Sequence, residues 1–331
     1  MSLSEPTTFT KTEVFSWTDT AALPLLPNEK SLSVFSQLRK SPRLDRNSEN
    51  NWRARPTAEL HATNDKFIEI DGKEMELMVF SEKKPAGYWP IFKGESFDIW
   101  NSDTGVYYAW ADPDIARTRI QSKRKRGQRN KRSVYAEFKK EYIEDQSTLE
   151  CNRPRIAFRN VTNRTNRRTI IAALIPPQVF ISHAAPFILW PRGDKKDEAY
   201  LLGVLSSIPL DWYARRFVEI NVTFHHFNPF PVPRPTQDNP FWHRVVQIAG
   251  RLGAPDDRFA EWAEAVGVKH GEIEPELKQD MIHELDAVVA HLYGLSKEQL
   301  SHIFETFHEG WDYTSRLEAT LVHYDLWSNK I

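Results

Sequence analysis

Tyr200-Leu201-Leu202-Gly203-Val204-Leu205-Ser206-Ser207-Ile208 is the stretch on which the fold turns. Tyr200, Leu201, Val204, Leu205 and Ile208 share one helical face, the spacing of an amphipathic helix. Upstream of it the apolar runs read as strands. Arg155 to Val161, Thr169 to Leu174 and Val179 to Leu189 are three strand candidates just before it. From residue 236 on, the apolar runs have helical spacing. The chain therefore reads as α+β, a mixed β-rich region followed by a small C-terminal helical bundle.

Working outward, Pro209 interrupts the helix and Asp211 is placed to cap a second one running through Val218. Asn228-Pro229-Phe230-Pro231-Val232-Pro233-Arg234-Pro235 reads as an extended, polyproline-like linker. Beyond it, Asn239-Pro240 is a cap followed by a proline at the first helical position. Phe241, Val245, Ile248 and Leu252 follow on one face. Leu277, Met281, Leu285, Val288 and Leu292 form another face, stopped by Gly294. Ser296 to Gln299 is a capping box before Leu300, Ile303, Phe304 and Phe307.

Upstream, Phe67 to Ile70 and Met75 to Phe80 flank Asp71-Gly72, a hairpin turn signal. Tyr88 to Gly94 is a short aromatic strand, with Phe97 to Trp100 and Tyr107 to Trp110 placed to pair nearby. Val134 to Tyr142 has helical character. A possible short helix spans Leu32 to Leu38, and Arg39 to Arg55 is polar and loop-like. The expected division is a connecting arm over 1–60, a β-rich domain over 61–235 and a helical domain over 236–331.

Charge sharpens this division. Of 331 residues, Lys and Arg number 44 and Asp and Glu 45, a net of −1. The near-neutral sum hides a pattern. Arg117, Arg119, Lys123, Arg124, Lys125, Arg126, Arg129, Lys131 and Arg132 crowd one 16-residue window without an acid. Six arginines occupy 153–168, again without an acid. From Pro255 to Ile331 the balance is −10.

The first window suits phosphate neutralisation, or else a solvated loop. The second holds a strand, Arg155 to Asn160, and a loop rich in Thr, Asn and Arg. Arg forks pair guanine and phosphate; Asn pairs adenine. Arg155, Arg159, Asn160, Asn163, Arg164, Asn166, Arg167 and Arg168 are candidate DNA contacts. Lys93, beside Gly94 at a strand end, is a candidate for a close backbone–phosphate approach.

Other chemistry finds less support. One cysteine, Cys151, excludes an internal disulfide and a multi-cysteine zinc site. It lies in the basic stretch, where neighbouring cations are expected to lower its thiol pKa. His225-His226 would diverge across a strand, and His61 and His183 have no visible carboxylate partner. His283 and His291 flank an apolar helical face and read as structural. There is no G-x-G-x-x-G, no P-loop and no G-x-S-x-G. Asn228-Pro229-Phe230 and Asn239-Pro240-Phe241 lack the second proline of the element that holds a flipped base. Pro113-Asp114 followed by Glu137-Phe138-Lys139 matches a loose nuclease pattern, in which two carboxylates hold Mg²⁺ and a lysine activates water. No apolar run approaches the ~20 residues of a membrane helix. The N-terminus lacks a secretory pattern, so the chain reads as soluble and cytoplasmic.

The order of several segments resembles one family. They are Glu59 to Asp65, Trp89 to Gly94, Arg155 to Arg159, Thr165 to Ala173, Leu202 to Ser207, Asn228 to Pro233 and Glu284 to Leu295. The series, over roughly residues 15–325, is similar to the C-terminal target-recognition region of large adenine-N6 DNA methyltransferases of type II restriction–modification and phage-defence systems, type IIG-like enzymes included. The resemblance implies sequence-specific binding of double-stranded DNA. It implies a methyltransferase domain, with or without a nuclease, either upstream in the same chain or in a separate subunit. S-adenosylmethionine is then expected only in that catalytic domain, and no catalysis from this chain alone. Two rival readings are a Mg²⁺-dependent nuclease using Asp114, Glu137 and Lys139, and an interaction scaffold with a basic loop that binds RNA or protein.

Overall fold

The computed structural model describes residues 8–46, 51–70, 72–162 and 165–330. The strands are β1 (Arg53–Thr57), β2 (Phe67–Ile70), β3 (Lys73–Glu76), β4 (Trp89–Phe92), β5 (Ala109–Ala111), β6 (Arg155–Phe158), β7 (Ala172–Ile175), β8 (Phe180–Ile181) and β9 (Phe187–Arg192). The helices are α1 (Lys11–Trp17), α2 (Glu29–Leu38), α3 (Pro113–Gln128), α4 (Lys140–Glu144), α5 (Lys195–Ser206), α6 (Ile208–Ala214), α7 (Phe224–Phe227), α8 (Pro240–Gly253), α9 (Ala260–Val266), α10 (Pro275–Leu292), α11 (Lys297–Glu305) and α12 (Thr314–Ser328). The fold is α+β with a helical C-terminal region, as the change of period implies.

A four-stranded antiparallel sheet in the order β1-β9-β6-β7 is the organising layer. Every residue of β6 and β7 is buried. Alternation explains why both faces are apolar. Ile156, Phe158, Ala172 and Leu174 face the main core with α5, α8 and α10. Ala157, Ala173 and Ile175 face a smaller core with Phe92, Phe97, Val134 and Tyr135. A second sheet, β5-β4-β8, pairs β4 antiparallel with β5 and parallel with β8. The β2–β3 hairpin forms where the turn signal stands, with Gly72 at φ +74°; Asp71 lies outside the described residues.

The helix over 195–206 forms with an Asp194 capping box. Gly203 is needed there, because a Cβ would stand 2.6 Å from Val245 on α8. The Asn239 cap and the Ser296 capping box form as their sequences imply.

Several expectations change. The basic run 117–132 is not an extended loop; most of it is α3. The proline-rich segment 228–235 is not a free linker. Phe230 and Val232 are buried. The Tyr293 hydroxyl donates to Pro231 O at 2.7 Å and the Tyr200 hydroxyl to Pro233 O at 2.9 Å. The N-terminal segment is built into the main core through Val34, Phe35 and Leu38, and Ser31 bonds His302 at 2.9 Å. That core draws residues from both sides of positions 60 and 235. The expected strand 179–189 is broken into β8 and β9. Phe97 to Trp100 is a turn, with Trp100 at φ +57°, a left-handed conformation costly for a bulky residue. Val134 to Tyr142 is a 3₁₀ turn, then the start of α4.

Asp211 does not cap a helix. It lies inside α6, fully buried, and Arg168 is buried against it. The Arg168 Nε donates to its carboxylate. The amides of Thr169 and Ile170 also donate to it, at 3.0 and 3.2 Å. The Arg168 Nη2 reaches the carbonyls of Ser206 and Ser207 at 2.8 and 3.0 Å. One carboxylate thus ties the end of the 162–168 loop to α6.

α3 is tied down by a second carboxylate. Asp65 is buried and accepts from Arg119 Nη2 at 2.6 Å, Lys123 Nζ at 2.8 Å and the His61 amide at 2.7 Å. Burial pushes its carboxyl upward, but the bonds from Lys123, the His61 amide and Arg119 outweigh burial and hold it below the ordinary carboxylate value.

Two outcomes follow. D211A leaves a buried guanidinium unpaired and should cost about 3–5 kcal/mol, read as a lower urea midpoint. For Asp65 the folded pKa is depressed, so its contribution is complete above the unfolded carboxylate pKa and lost as pH falls through the folded value. The midpoint difference between wild type and D65N should be constant from about pH 7 to 5 and shrink below about pH 4. A difference unchanged down to about pH 2 would refute the assignment.

Candidate nucleic-acid interface

α3 starts where its sequence says a helix can start. Asp112 accepts from the amides of Asp114 and Ile115 at 2.9 and 3.2 Å, and Pro113 takes the first turn. Ala116, Ile120, Gln121 and Arg124 form its buried face. Gln121 Nε2 donates to Ile143 O at 2.7 Å. Arg124 has no exposed surface; its Nη2 donates to Thr148 Oγ1 at 2.9 Å and its guanidinium stacks over Tyr142. Arg117 donates to Asn152 Oδ1 at 2.9 Å and lies over the Trp89 ring.

The nine cations therefore divide. Arg117, Arg119, Lys123 and Arg124 dock the helix on the protein. Lys125, Arg126, Arg129, Lys131 and Arg132 are exposed at its last turn and just beyond. None of these five makes an ion pair with a described carboxylate. They also stand at the negative end of the helix dipole, where cations are favourable. At Gly127 a Cβ would meet the Tyr135 ring at 2.9 Å, so the chain folds tightly under the cluster.

The second window divides in the same way. Arg155 is buried and its Nη2 pairs with Glu59 at 3.1 Å. Arg168 is buried on Asp211. With Arg124, these two are withdrawn from the candidate contacts, because each guanidinium is buried and donates to protein partners. Arg159 donates to Phe97 O at 2.5 Å and lies 3.6 Å from Asp98. Its side chain runs 3.4 Å from where a Gly94 Cβ would be, so it occupies the space expected for a phosphate at that glycine. Lys93 is partly exposed and pairs with Glu95 at 2.6 Å. The Asn160 backbone bonds Ala184 and Val222, and its Oδ1 is buried. Asn166 donates to Thr162 Oγ1 at 3.2 Å. Arg167 is exposed. Asn163 and Arg164 lie outside the described residues.

Two clefts flank this loop. One, of about 430 Å³, is lined by Asp98, Trp100, Arg159, Arg167, Arg168 and Arg316 among others. Arg316 comes from α12 and pairs with the buried Asp286 at 2.6 Å. The other, of about 400 Å³, includes Thr165, Arg215, Arg216, Phe307 and His308. Among the described residues Arg216 donates to the carbonyls of Trp212, Leu25 and Thr306. Burial and then the charge of Arg215 push its pKa down to about 10. Sequence reading missed Arg316, His308 and Trp100, because each sits in a stretch of ordinary composition.

The nuclease constellation is not assembled. Asp114 is on the first turn of α3, whereas Glu137 follows its last turn. A rise of 1.5 Å per residue puts these ends roughly 20 Å apart. Glu137 is held by Arg53 and Arg55 on β1 instead. Lys139 precedes α4 and is exposed. Among the described residues no group of three or more His, Cys, Asp or Glu is placed to hold a metal ion. Cys151 is buried, and burial followed by the charge of Glu59 pushes its thiol up to about 12, opposite to the expected direction. His225 and His226 lie on the short helix α7, not on a strand. His61 and His183 stack at 4.4 Å. His291 stacks between Phe241 and Tyr324, bonded to Tyr324 O. No described helix is long and apolar enough to cross a membrane.

Neither a family model nor a curated protein matches the chain. Among solved structures it is similar to the type IIG restriction endonuclease BpuSI, at 15% identity and a TM-score of 0.31. That similarity covers 90% of this chain, and the chain spans 33% of the BpuSI chain.

Proposed function

We propose that this chain is a target-recognition module that binds double-stranded DNA. In this reading it supplies specificity, not chemistry, to an adenine-N6 methyltransferase domain lying in the same polypeptide or in a separate subunit. The methyl donor S-adenosylmethionine belongs to that catalytic domain. The observation that carries the proposal is the division of cations along α3 and the turn that follows it. Four fix the helix to the body, and five are presented outward without a carboxylate to neutralise them. An anchored helix end and the tight turn after it present these charges as one cluster, which suits neighbouring phosphates better than an adaptable protein partner. The ordered resemblance to target-recognition regions supports the same reading.

Lys125, Arg126, Arg129, Lys131 and Arg132 then contact the backbone, and the loop around Asn166 and Arg167 faces base edges. Duplex affinity should fall steeply between about 50 and 200 mM salt. Replacing all five cations by Gln should weaken every duplex alike and reduce the log–log salt slope by up to about 4. K269A, at an exposed lysine of the C-terminal region, should leave that slope unchanged. Fluorescence anisotropy on labelled duplexes reads both. Absence of duplex binding at about 50 mM salt by the folded protein would sink the proposal.

A further inference from the structure

The acidic balance of the C-terminal region, −10 from Pro255 to Ile331, is on its own unfavourable for contact with DNA. Its α11–α12 connection does not fit that picture. Phe307 is buried beneath two guanidinium groups, Arg215 at 4.3 Å and Arg168 at 5.9 Å from its ring centre. The Gly310 amide donates to His308 Nδ1 at 2.8 Å. That leaves Nε2 as the protonated nitrogen, and it donates to Thr165 O at 2.9 Å. The Tyr313 hydroxyl donates to Arg167 O, also at 2.9 Å. The connection therefore grips the backbone of the arginine-rich loop at two carbonyls.

Between these two contacts stands Trp311, which is 50% exposed. A single exposed tryptophan is ordinary; what distinguishes this one is the cation beside it. The Arg167 guanidinium lies over its ring at 5.5 Å. A guanidinium held over an indole by a cation–π contact loses rotational freedom while its N–H groups can still donate. That is the preparation a bidentate contact to guanine O6 and N7 requires. Of the three loop arginines, Arg168 is buried and Arg164 is undescribed, so Arg167 is the one shown at the surface.

We infer that the α11–α12 connection is part of the DNA-reading surface, with Trp311 the positioning residue that presents Arg167 to a base. This rests on the DNA-binding role proposed above. The occupant is a duplex base edge, reached by Arg167 and flanked by the indole.

The test is selection of a preferred sequence from a randomised duplex library by the full chain, followed by binding of variants to the selected and to random duplexes. R167A and W311A should each weaken binding to the selected sequence about tenfold. Random duplex should change by less than about twofold, because phosphate contacts supply that binding. The double variant should be no weaker than either single one. W311F should keep most of the preference. R167K, which keeps the charge and disturbs no core residue, should lose it as R167A does. W311A should leave the salt slope unchanged. If W311A and R167K select the wild-type sequence with wild-type affinity, the inference fails while the DNA-binding role stands. If wild type binds no duplex, or prefers single-stranded RNA, both fail together.

Discussion

Asp211 is the group on which the position of the arginine-rich loop depends. A carboxylate with no exposure is costly unless every oxygen is addressed. Here Arg168 and the amides of Thr169 and Ile170 address it together. The bond set joins the entry to β7 with α6, two elements that the main core already holds in place. Arg215, one turn further along α6, then donates to the carbonyls of Asn166 and Arg167 at 2.6 and 2.9 Å. The loop leaves the sheet at a point and in a direction that these bonds set. A hydrophobic pair of equal volume would stabilise as well, but it could not fix two backbone amides and an arginine at once.

Much of the architecture was legible because it is local. The helix at 195–206, the Asn239 and Ser296 caps and the turn at Gly72 are each determined within a few residues. What was not legible is long-range. The basic windows contain no acid, so their arginines read as free. Yet the partners of Arg119, Arg168 and Arg155 lie 54, 43 and 96 residues away. A search for neutralising charge within a window cannot find them. The proline-rich segment misled for a related reason. Its composition is that of a spacer, but Tyr200 and Tyr293 take its carbonyls from helices on either side of it in sequence.

The net charge acquires a different meaning from this. Some acids of the C-terminal region are structural. Glu284 pairs with Arg244 and accepts from Trp327, and Asp286 pairs with Arg316 and accepts the Ile208 amide. Some cations of the basic windows are structural too. Subtracting these pairs leaves the five outward cations at the end of α3 as the concentrated surplus. Near-neutrality of the whole chain is thus compatible with a strongly positive local field, and fields act locally over a Debye length of about 8–10 Å.

Under the DNA-reading role proposed above, the placement of the buried and exposed arginines also bears on how the loop could change its preference. Arg168 and Asp211 hold the frame, whereas Arg167 projects from it. A substitution at an outward position leaves the Asp211 bond set intact, because the anchoring groups are backbone amides and a different side chain. Specificity can then alter without a loss of stability, provided the α11–α12 connection still supports the loop carbonyls. A substitution at Arg168 or Asp211 has the opposite character: it removes the frame and with it every contact the loop makes. Neighbouring arginines of identical composition thus have different physical roles, and the distinction lies in which of them a distant carboxylate claims.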